Sequence, residues 1–245
     1  MISKGTIRFI KSLQLKKYRN KAQSFLVEGT KSVLELLDAG LEVTHLVATD
    51  SFLRNNAEIE TKLNVPLEVV SSKLLNSLSS LKTNHNVLAV ARYLPDRPFS
   101  ISTNEYSLAL DRISDPGNLG TIIRTADWFG IAKVICSREC ADFYNPKVIQ
   151  ATMGSFTRVQ VYYTDLASYL NGYHVYGASL EGESVHHVKF NRGGVILIGN
   201  EAHGISEALR STVKQWIGIP GYGQAESLNA AMATAIICDN LRRRS

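Results

Sequence analysis

The chain has 245 residues, of which 44% are hydrophobic, and its formal net charge is +5. This composition is typical of a globular protein and argues against a low-complexity chain, and no apolar run reaches the roughly 20 residues that a membrane-spanning helix needs. The three cysteines, an odd number, argue against a disulfide framework, so we expect free thiols. The basic N-terminus lacks the features of a signal peptide, and a cytoplasmic protein is expected.

Positive charge is concentrated at the start of the chain, where every charged residue before Glu28 is a lysine or an arginine. A block of this kind attracts polyanions, because each cation placed at a phosphate releases a condensed counterion. A solvated basic face without a partner is the alternative that charge alone leaves open. The candidate nucleic-acid contacts in the block are Lys11, Lys16, Lys17, Arg19 and Lys21.

The first 94 residues alternate short apolar strands with amphipathic helices, which predicts a small α/β domain. One helix is expected to end at Gly40, and Ser71 or Ser72 is expected to cap another. Two prolines and several small polar residues then indicate a linker at 95–105. The predicted elements are a strand and a helix within 24–40, strands at 43–49 and 66–71, a helix at 72–81 and a strand at 86–93.

The alternation continues over 106–245, which we predict to be a second α/β domain. Residues 194–199 are apolar on both faces, as in a strand buried inside a parallel sheet, so this sheet is expected to be mostly parallel. Asn145 and Pro146 predict the start of one helix, and the last helix is expected to begin near Glu226. The core stripe predicted for that last helix is Leu228, Ala231, Met232, Ala235 and Ile236. The predicted strands are 107–111, 133–137, 158–163, 174–179, 194–199 and 216–220.

Three of these strands run into loops that combine glycine with polar side chains and precede helices. The loops read RISDPGNLG after 107–111, NEAHGIS after 194–199 and GYGQAESLN after 216–220. Ligands bind beyond the carboxyl ends of the strands in open parallel sheets, so three such loops predict one shared site. In the first loop, Asn118 is expected to cap the helix that follows.

Common cofactor and catalytic motifs do not fit these loops. Ile205 stands where a phosphate-binding P-loop needs lysine, and Glu226 stands where the dinucleotide fingerprint needs glycine. Glu201 and His203 have no further metal-ligating neighbours in the sequence, so we expect no metal ion. No G-x-S-x-G elbow is present and Ser227 has no evident histidine base, which disfavours a hydrolase.

The segments DPGNLGTIIRTADWFG, LIGNEAHGIS and IPGYGQAESLNAAMATAI resemble, in order and spacing, the three motifs of the SpoU-type, TrmH-like branch of the SPOUT RNA methyltransferases. This resemblance covers roughly 105–245. Residues 1–94, which include FLVEGTKSVLELL and TNHNVLAVA, are more loosely similar to the small L30e-like substrate-binding domain of that family. This sequence departs from the family pattern at some positions, such as Leu119 where valine is common and Ala202 where glycine is common. These departures remove no functional group.

The resemblance implies a homodimer, joined through the catalytic domain, that transfers a methyl group from S-adenosylmethionine to a ribose 2′-hydroxyl of RNA. It also implies a trefoil knot near the C-terminal end of that domain, which is a rare exception to unknotted chain connections. The positions that match the family's cofactor-binding loops are Gly199, Ile219 and Leu228. The matching catalytic positions are Asn118, Arg124, Glu201, Ser227 and Asn229.

Arg124 matches the family's proposed activator of the hydroxyl. An arginine side chain is ordinarily too strongly basic to be deprotonated, so a general base at this position is difficult unless desolvation and another cation lower its pKa. We favour the alternative in which the guanidinium stays charged and grips a phosphate oxygen, and the phosphate or another group takes the proton. A plain surface pair with Asp127 or Asp111, worth only about 0.2–1 kcal/mol, is the structural alternative. For the other catalytic positions the plain alternative is helix capping or an interaction with a helix dipole.

Two other classes of function remain open from the sequence: an RNA-binding protein without catalysis, and an oxidoreductase with a nucleotide cofactor on a doubly wound sheet. The sequence does not name the RNA. The short N-terminal domain favours large-subunit ribosomal RNA over transfer RNA, by analogy with the family.

Overall fold

The apolar strands of the chain assemble into two separate sheets, one in each of two units. The computed structural model describes residues 2–59, 65–80, 86–95 and 97–243. The first unit comprises residues 1–95 together with 144–157, and the second comprises 96–143 together with 158–245.

The first unit contains a four-stranded mixed sheet in the order β1-β4-β2-β3. Strand β4 is antiparallel to β1 and β2, whereas β2 and β3 are parallel. The strands are β1 Ser24–Glu28, β2 Val43–Ala48, β3 Leu67–Val69 and β4 Val87–Arg92. The helices before and between them are α1 Lys4–Ser12, α2 Lys16–Ala22, α3 Thr30–Asp38, α4 Asp50–Asn55 and α5 Ser72–Leu78. The predicted α/β character of this half is confirmed.

The directions of these strands place one polar edge on the first unit. Since β1, β2 and β3 run the same way and β4 runs against them, the loops after β1, β2 and β3 lie at the edge where β4 begins. Asn86 links two of those loops, because its carbonyl accepts from the Thr49 N–H at 2.9 Å and its side-chain amide donates to the Thr30 hydroxyl at 3.2 Å.

The second unit contains a six-stranded sheet in which every strand pairing is parallel, in the order β10-β8-β9-β5-β6-β7. The predicted mostly parallel sheet is therefore confirmed. Its strands are β5 Tyr106–Leu110, β6 Lys133–Cys136, β7 Gln160–Tyr163, β8 Val175–Ser184, β9 Gly194–Ile198 and β10 Gln215–Gly218. Its helices are α6 Pro116–Trp128, α8 Leu166–Tyr169, α9 Glu207–Arg210 and α10 Ala230–Arg243.

One segment from the second half of the sequence packs with the first unit. Helix α7 Pro146–Thr152 begins where the sequence predicts, because the Asn145 side chain accepts from the Lys147 N–H at 2.9 Å. A short 3-10 turn, Ser155–Thr157, follows it. The ring of Tyr144 lies 4.9 Å from that of Phe25 in β1, which ties this segment to the core of the first unit.

Two predicted helix starts are wrong. Asp115, not Asn118, caps α6: its carboxylate accepts from the Asn118 N–H at 2.8 Å, and Pro116 takes the first helical position. Helix α10 begins at Ala230 rather than near Glu226, because the Asn229 side chain accepts from the N–H groups that open the helix.

The core stripe predicted for α10 is also partly wrong. Starting the helix at Ala230 places Leu228 outside it and leaves Met232 59% exposed. Ala231 is buried as predicted, and the face that packs inward continues through Thr234, Ile237, Cys238 and Leu241.

Candidate active site

Three loops of the second unit meet at one edge of its sheet. They follow β5, β9 and β10, whose carboxyl ends share that edge because the sheet is parallel. Strands β5 and β9 are direct neighbours, with Leu110 paired to Ile198, and the Asp111 N–H donates to the Ile198 carbonyl at 2.9 Å. Strand β10 lies beyond β8 in the same sheet. This is the edge at which the sequence predicts a site.

A chain of side-chain hydrogen bonds joins one residue from each loop region. The Asn118 amide donates to the Glu201 carboxylate, and the Asn229 amide donates to the Asn118 carbonyl oxygen at 2.8 Å. Asn118 can serve both neighbours because Asp115 has taken over the capping of α6, which leaves its amide group free for contacts outside the helix. Residues 83 and 111 positions apart in sequence are thereby brought together.

Asn229 has two roles at once. Its side-chain oxygen accepts from the N–H groups of Ala231 at 2.9 Å and Met232 at 3.3 Å, so it caps α10 while its amide donates to Asn118. Ser227 lies just before it, in the exposed stretch 221–229. The structure therefore brings Asn118, Glu201 and Asn229 into contact and leaves Ser227 in the adjoining loop.

The loop after β9 is folded tightly on itself. A side chain at Gly199 would place its Cβ 2.3 Å from the backbone of Gly204, so only glycine fits there. The Asn200 side-chain oxygen accepts from the N–H groups of Ala202 at 3.0 Å and His203 at 3.2 Å. This turn holds Glu201 beside Asn118.

Two contacts that the sequence analysis missed tie the loops after β5 and β9 together. The buried Asp111 carboxylate accepts from the Ser206 N–H at 2.7 Å, and the Asn200 amide donates to the Arg112 carbonyl at 2.9 Å. Arg112 has a φ of 57°, an unusual conformation for a residue other than glycine. A polar Asp directly after an apolar strand is the only sequence signal that points to this arrangement.

The thiol of Cys140 contacts the backbone at the start of the first loop. Cys140 Sγ accepts from the Ile113 N–H at 3.3 Å and lies 3.2 Å from the Leu110 carbonyl, to which it donates. A hydrogen bond with Cys136 lowers the pKa of Cys140, whereas burial raises the pKa of Cys136. Burial also raises the pKa of Cys238 to about 12. All three cysteines are free, as predicted.

The positions assigned to cofactor binding lie at the ends of these loops. Gly199 follows β9 directly, and Ile219 follows β10. Ile219 is half-buried, and the side chain of Leu228, next to Asn229, is 45% exposed although it is apolar. An aliphatic side chain left in contact with solvent beside a polar cluster is suited to cover one face of a planar ligand.

Arg124 lies on the exposed face of α6 and not within the cluster. It follows Asn118 by six residues, which is about 9 Å along the helix axis. The surface pair with Arg124 is not seen among the described residues, in which Asp127 pairs with Arg158 at 2.9 Å and Asp111 with Arg112 at 3.4 Å. The guanidinium of Arg124 is exposed to solvent.

The basic block at the N-terminus divides into exposed and buried cations. Lys11, Lys16, Lys17 and Lys21 are exposed, as expected of nucleic-acid contacts. Arg19 is only 2% exposed, and its Nη1 donates to the carbonyls of Leu13 at 3.0 Å and Gln14 at 2.9 Å. The prediction that Arg19 contacts nucleic acid is therefore wrong: its guanidinium holds the turn between α1 and α2.

Over the described ranges, no three histidine, cysteine, aspartate or glutamate side chains come together in a metal-binding group. Within the same ranges, no helix has the length and hydrophobicity that crossing a bilayer requires.

Comparison with known proteins identifies both halves of the chain. The model of the SpoU rRNA Methylase family matches residues 105–239, and that of the MRM3-like substrate binding domain matches residues 4–89. The first match includes all three loops of the candidate site. The second includes the exposed lysines of the N-terminal block.

Individual relatives are similar over nearly the whole chain. The Bacillus subtilis 23S rRNA (guanosine(2553)-2'-O)-methyltransferase RlmP is 32% identical over 95% of this chain and 94% of its own length. A solved structure described as a putative RNA methyltransferase of the TrmH family from Porphyromonas gingivalis is 36% identical, covers 100% of both chains and has a TM-score of 0.87. An AdoMet-bound rRNA methyltransferase from Sinorhizobium meliloti is 29% identical, covers 99% of this chain and 96% of its own, and has a TM-score of 0.87.

Proposed function

Because this chain belongs to the SpoU rRNA methylase family, we propose that it transfers a methyl group from S-adenosylmethionine to a ribose 2′-hydroxyl of ribosomal RNA. The observation that carries the proposal is the contact of Asn118 with both Glu201 and Asn229, since it unites one residue from each family motif. The relative from Bacillus subtilis is named as a 23S rRNA 2'-O-methyltransferase, and this supports the large ribosomal subunit as the source of the substrate.

The residues at the loop ends suit S-adenosylmethionine. Gly199 lets the loop after β9 fold so closely on itself that the backbone of Gly204 occupies the place a side chain would take. Ile219 and Leu228 offer apolar surface for an adenine ring. The bound cofactor supplies an already activated methyl group, so the protein has only to align the ribose oxygen and accept one proton.

The polar cluster is proposed to orient the reacting sugar. Asn118 is fixed from both sides, by Glu201 and by Asn229, so little reorganisation is needed when a ribose enters. Ser227 and Asn229 lie in the exposed loop that faces the incoming RNA. Arg124 keeps its charge and holds a phosphate oxygen next to the reacting hydroxyl, so that the phosphate or another group receives the proton.

The position of Arg124 is best explained by a homodimer formed through the catalytic domain. Arg124 shares the exposed face of α6 with Trp128, whose side chain is 85% exposed, and Met232 is exposed on the adjacent helix α10. Large apolar groups on one face mark an association surface. A second copy seated there would carry its own Arg124 toward the site. We expect Trp128→Arg to give monomers in sedimentation, and a dimer of unchanged affinity would contradict this arrangement.

The remaining parts of the proposal concern organisation. Residues 1–94 are taken as the RNA-binding domain, 95–105 as the linker and 106–245 as the methyltransferase domain, with a trefoil knot near its C-terminal end. The match to a substrate binding domain and the exposed lysines at positions 11, 16, 17 and 21 support the first assignment. The three free cysteines favour work in the reducing cytoplasm.

A methyl-transfer assay tests the function directly. Purified protein is incubated with S-[methyl-³H]adenosylmethionine and, separately, with ribosomal and transfer RNA from a host that lacks the gene. We expect label in 23S ribosomal RNA, and mapping of alkali-resistant ribose linkages identifies the nucleotide. Label confined to transfer RNA would redirect the substrate assignment, and no label in either RNA would contradict the proposed activity.

A further inference from the structure

The first unit has a cavity that the methyl-transfer site does not use. It is a shallow depression of about 410 Å³ that is largely open to solvent, and it lies at the polar edge of the sheet, between the ends of the parallel strands β2 and β3. This volume lies within the range of small-ligand sites, and the carboxyl ends of parallel strands are where such sites form. Its wall includes Thr49, Asp50, Ser51, Arg54, Val69 and Ser72.

The groups in this wall differ in what they can offer a ligand. Among the described residues, the Thr49 hydroxyl lies 3.0 Å from that of Ser51 and 3.3 Å from the Asn86 carbonyl, so it is already engaged. The guanidinium of Arg54 is exposed and is not part of any ion pair within the described ranges. Val69 is 49% exposed, which puts an aliphatic surface beside these polar groups.

This combination matches the parts of one ribonucleotide. A guanidinium suits a phosphate, a carboxylate such as Asp50 suits a base amino group or a sugar hydroxyl, and an aliphatic wall suits the face of an unstacked base. Proteins read RNA largely through unpaired nucleotides of this kind. Thr30 lies at the same edge of the sheet through its contact with Asn86, so the RNA strand has further polar surface on which to continue.

We propose that this cavity binds one unpaired ribonucleotide of the RNA substrate, with its phosphate on Arg54 and its sugar and base against Asp50, Ser72 and Val69. The assignment rests on the proposed function for the identity of the RNA, but not on catalysis. The cavity is a substrate-recognition site in the first unit, and it is separate from the residues that act on the methyl group.

Two pairs of variants test the proposal on the full chain. Arg54→Ala removes a charge from the cavity wall, and Lys73→Ala removes the same charge from an exposed neighbour that does not line it. Ser72→Glu places a negative charge at the cavity in the first turn of α5, where it is compatible with the helix dipole. Ser77→Glu adds the same charge to the exposed side of that helix, outside the cavity.

Binding of 23S ribosomal RNA from the gene-deleted host is measured by filter retention across a salt series, and transfer kinetics are measured in parallel. Arg54→Ala is expected to weaken binding about five- to tenfold and to reduce the salt slope by about 0.7, the loss of one single-strand phosphate contact. The KM for RNA should rise with kcat unchanged. Ser72→Glu should weaken binding at least as much, and both control variants should stay within about twofold of wild type. Thermal melts verify that all four fold.

Each outcome decides one of the two proposals. Equal behaviour of Arg54→Ala and Lys73→Ala, or of Ser72→Glu and Ser77→Glu, overturns the cavity assignment, because position would then not matter. If the wild type binds the RNA in an Arg54-dependent manner but transfers no methyl group, the recognition site stands and the proposed activity fails.

Discussion

The most direct test of the candidate site is Asn118→Ala. This change removes the amide that joins Glu201 to Asn229 but leaves the capping of α6 intact, because the cap is formed by the Asp115 side chain and the backbone N–H of residue 118. The helix and the sheet edge should therefore persist. The variant loses the hydrogen bonds that hold the loop after β9 and the loop after β10 next to each other.

The size of the effect follows from the two contacts that disappear. A hydrogen bond to a charged carboxylate contributes about 1.5–3 kcal/mol, and one between neutral amides about 0.5–1.5 kcal/mol. If both are needed to orient the sugar, the transfer rate falls between about 30-fold and 2000-fold. Asn229 is exposed and water can replace part of its contact, so we expect a value near the lower end.

Single-turnover transfer to 23S ribosomal RNA, with cofactor affinity measured by calorimetry, separates this effect from binding. S-adenosylmethionine affinity is expected to change less than about threefold, because Asn118 is not among the cofactor-binding positions. Asn104→Ala is the matched control, since that side chain is exposed in the same unit away from the site. A transfer rate for Asn118→Ala within about threefold of wild type would show that the cluster only braces the loops.

Three further predictions concern cations. Arg124→Ala is expected to preserve cofactor affinity in calorimetry and to reduce single-turnover transfer at least about a hundredfold, and near-normal turnover would remove Arg124 from the mechanism. Arg19→Ala is expected to lower the free energy of unfolding in urea by about 2–4 kcal/mol, because the carbonyls of Leu13 and Gln14 lose a charged donor that is itself buried, and a loss below about 0.5 kcal/mol would contradict that role. Replacing three exposed lysines by alanine should lower the salt slope of RNA binding by about 2. An unchanged slope would show that the basic block does not contact RNA phosphates. These lysines are Lys16, Lys17 and Lys21.

The hydrophobic periodicity of the sequence predicted the strands and helices well, because the burial of apolar side chains determines where these elements form. Residues 194–199 are apolar throughout, and the structure buries all of β9 between β5 and β8. The ends of elements were harder to predict, since several side chains compete for the same cap. Asp115 and Asn118 are both good capping residues. Only Pro116, which favours the first position of a helix, indicates that Asp115 is the cap.

The prediction for Arg19 in the basic block failed for a different reason. Sequence treats Arg19 and Lys17 as equivalent charges, yet one is buried and the other exposed. What distinguishes them is the face of α2 that packs on the rest of the unit, together with two carbonyls left open by the turn at Leu13 and Gln14. An arginine can satisfy such carbonyls with a planar, multiply donating group, and a lysine in the same place could not do so as well.

The topology of the second unit explains why the site is assembled from distant segments and why its loops stay open. The first strand of the unit, β5, lies in the middle of the sheet, and β9 pairs with it only after β6, β7 and β8 have been added along the chain. Glu201 can therefore meet Asn118 only when the central strand pairing is complete, so we expect the site and the sheet to form cooperatively. By contrast, residues 221–229 are exposed, and Asn229 at their end caps α10. Exposed segments rearrange at low free-energy cost, so we expect movement of this loop to leave the core of the sheet intact.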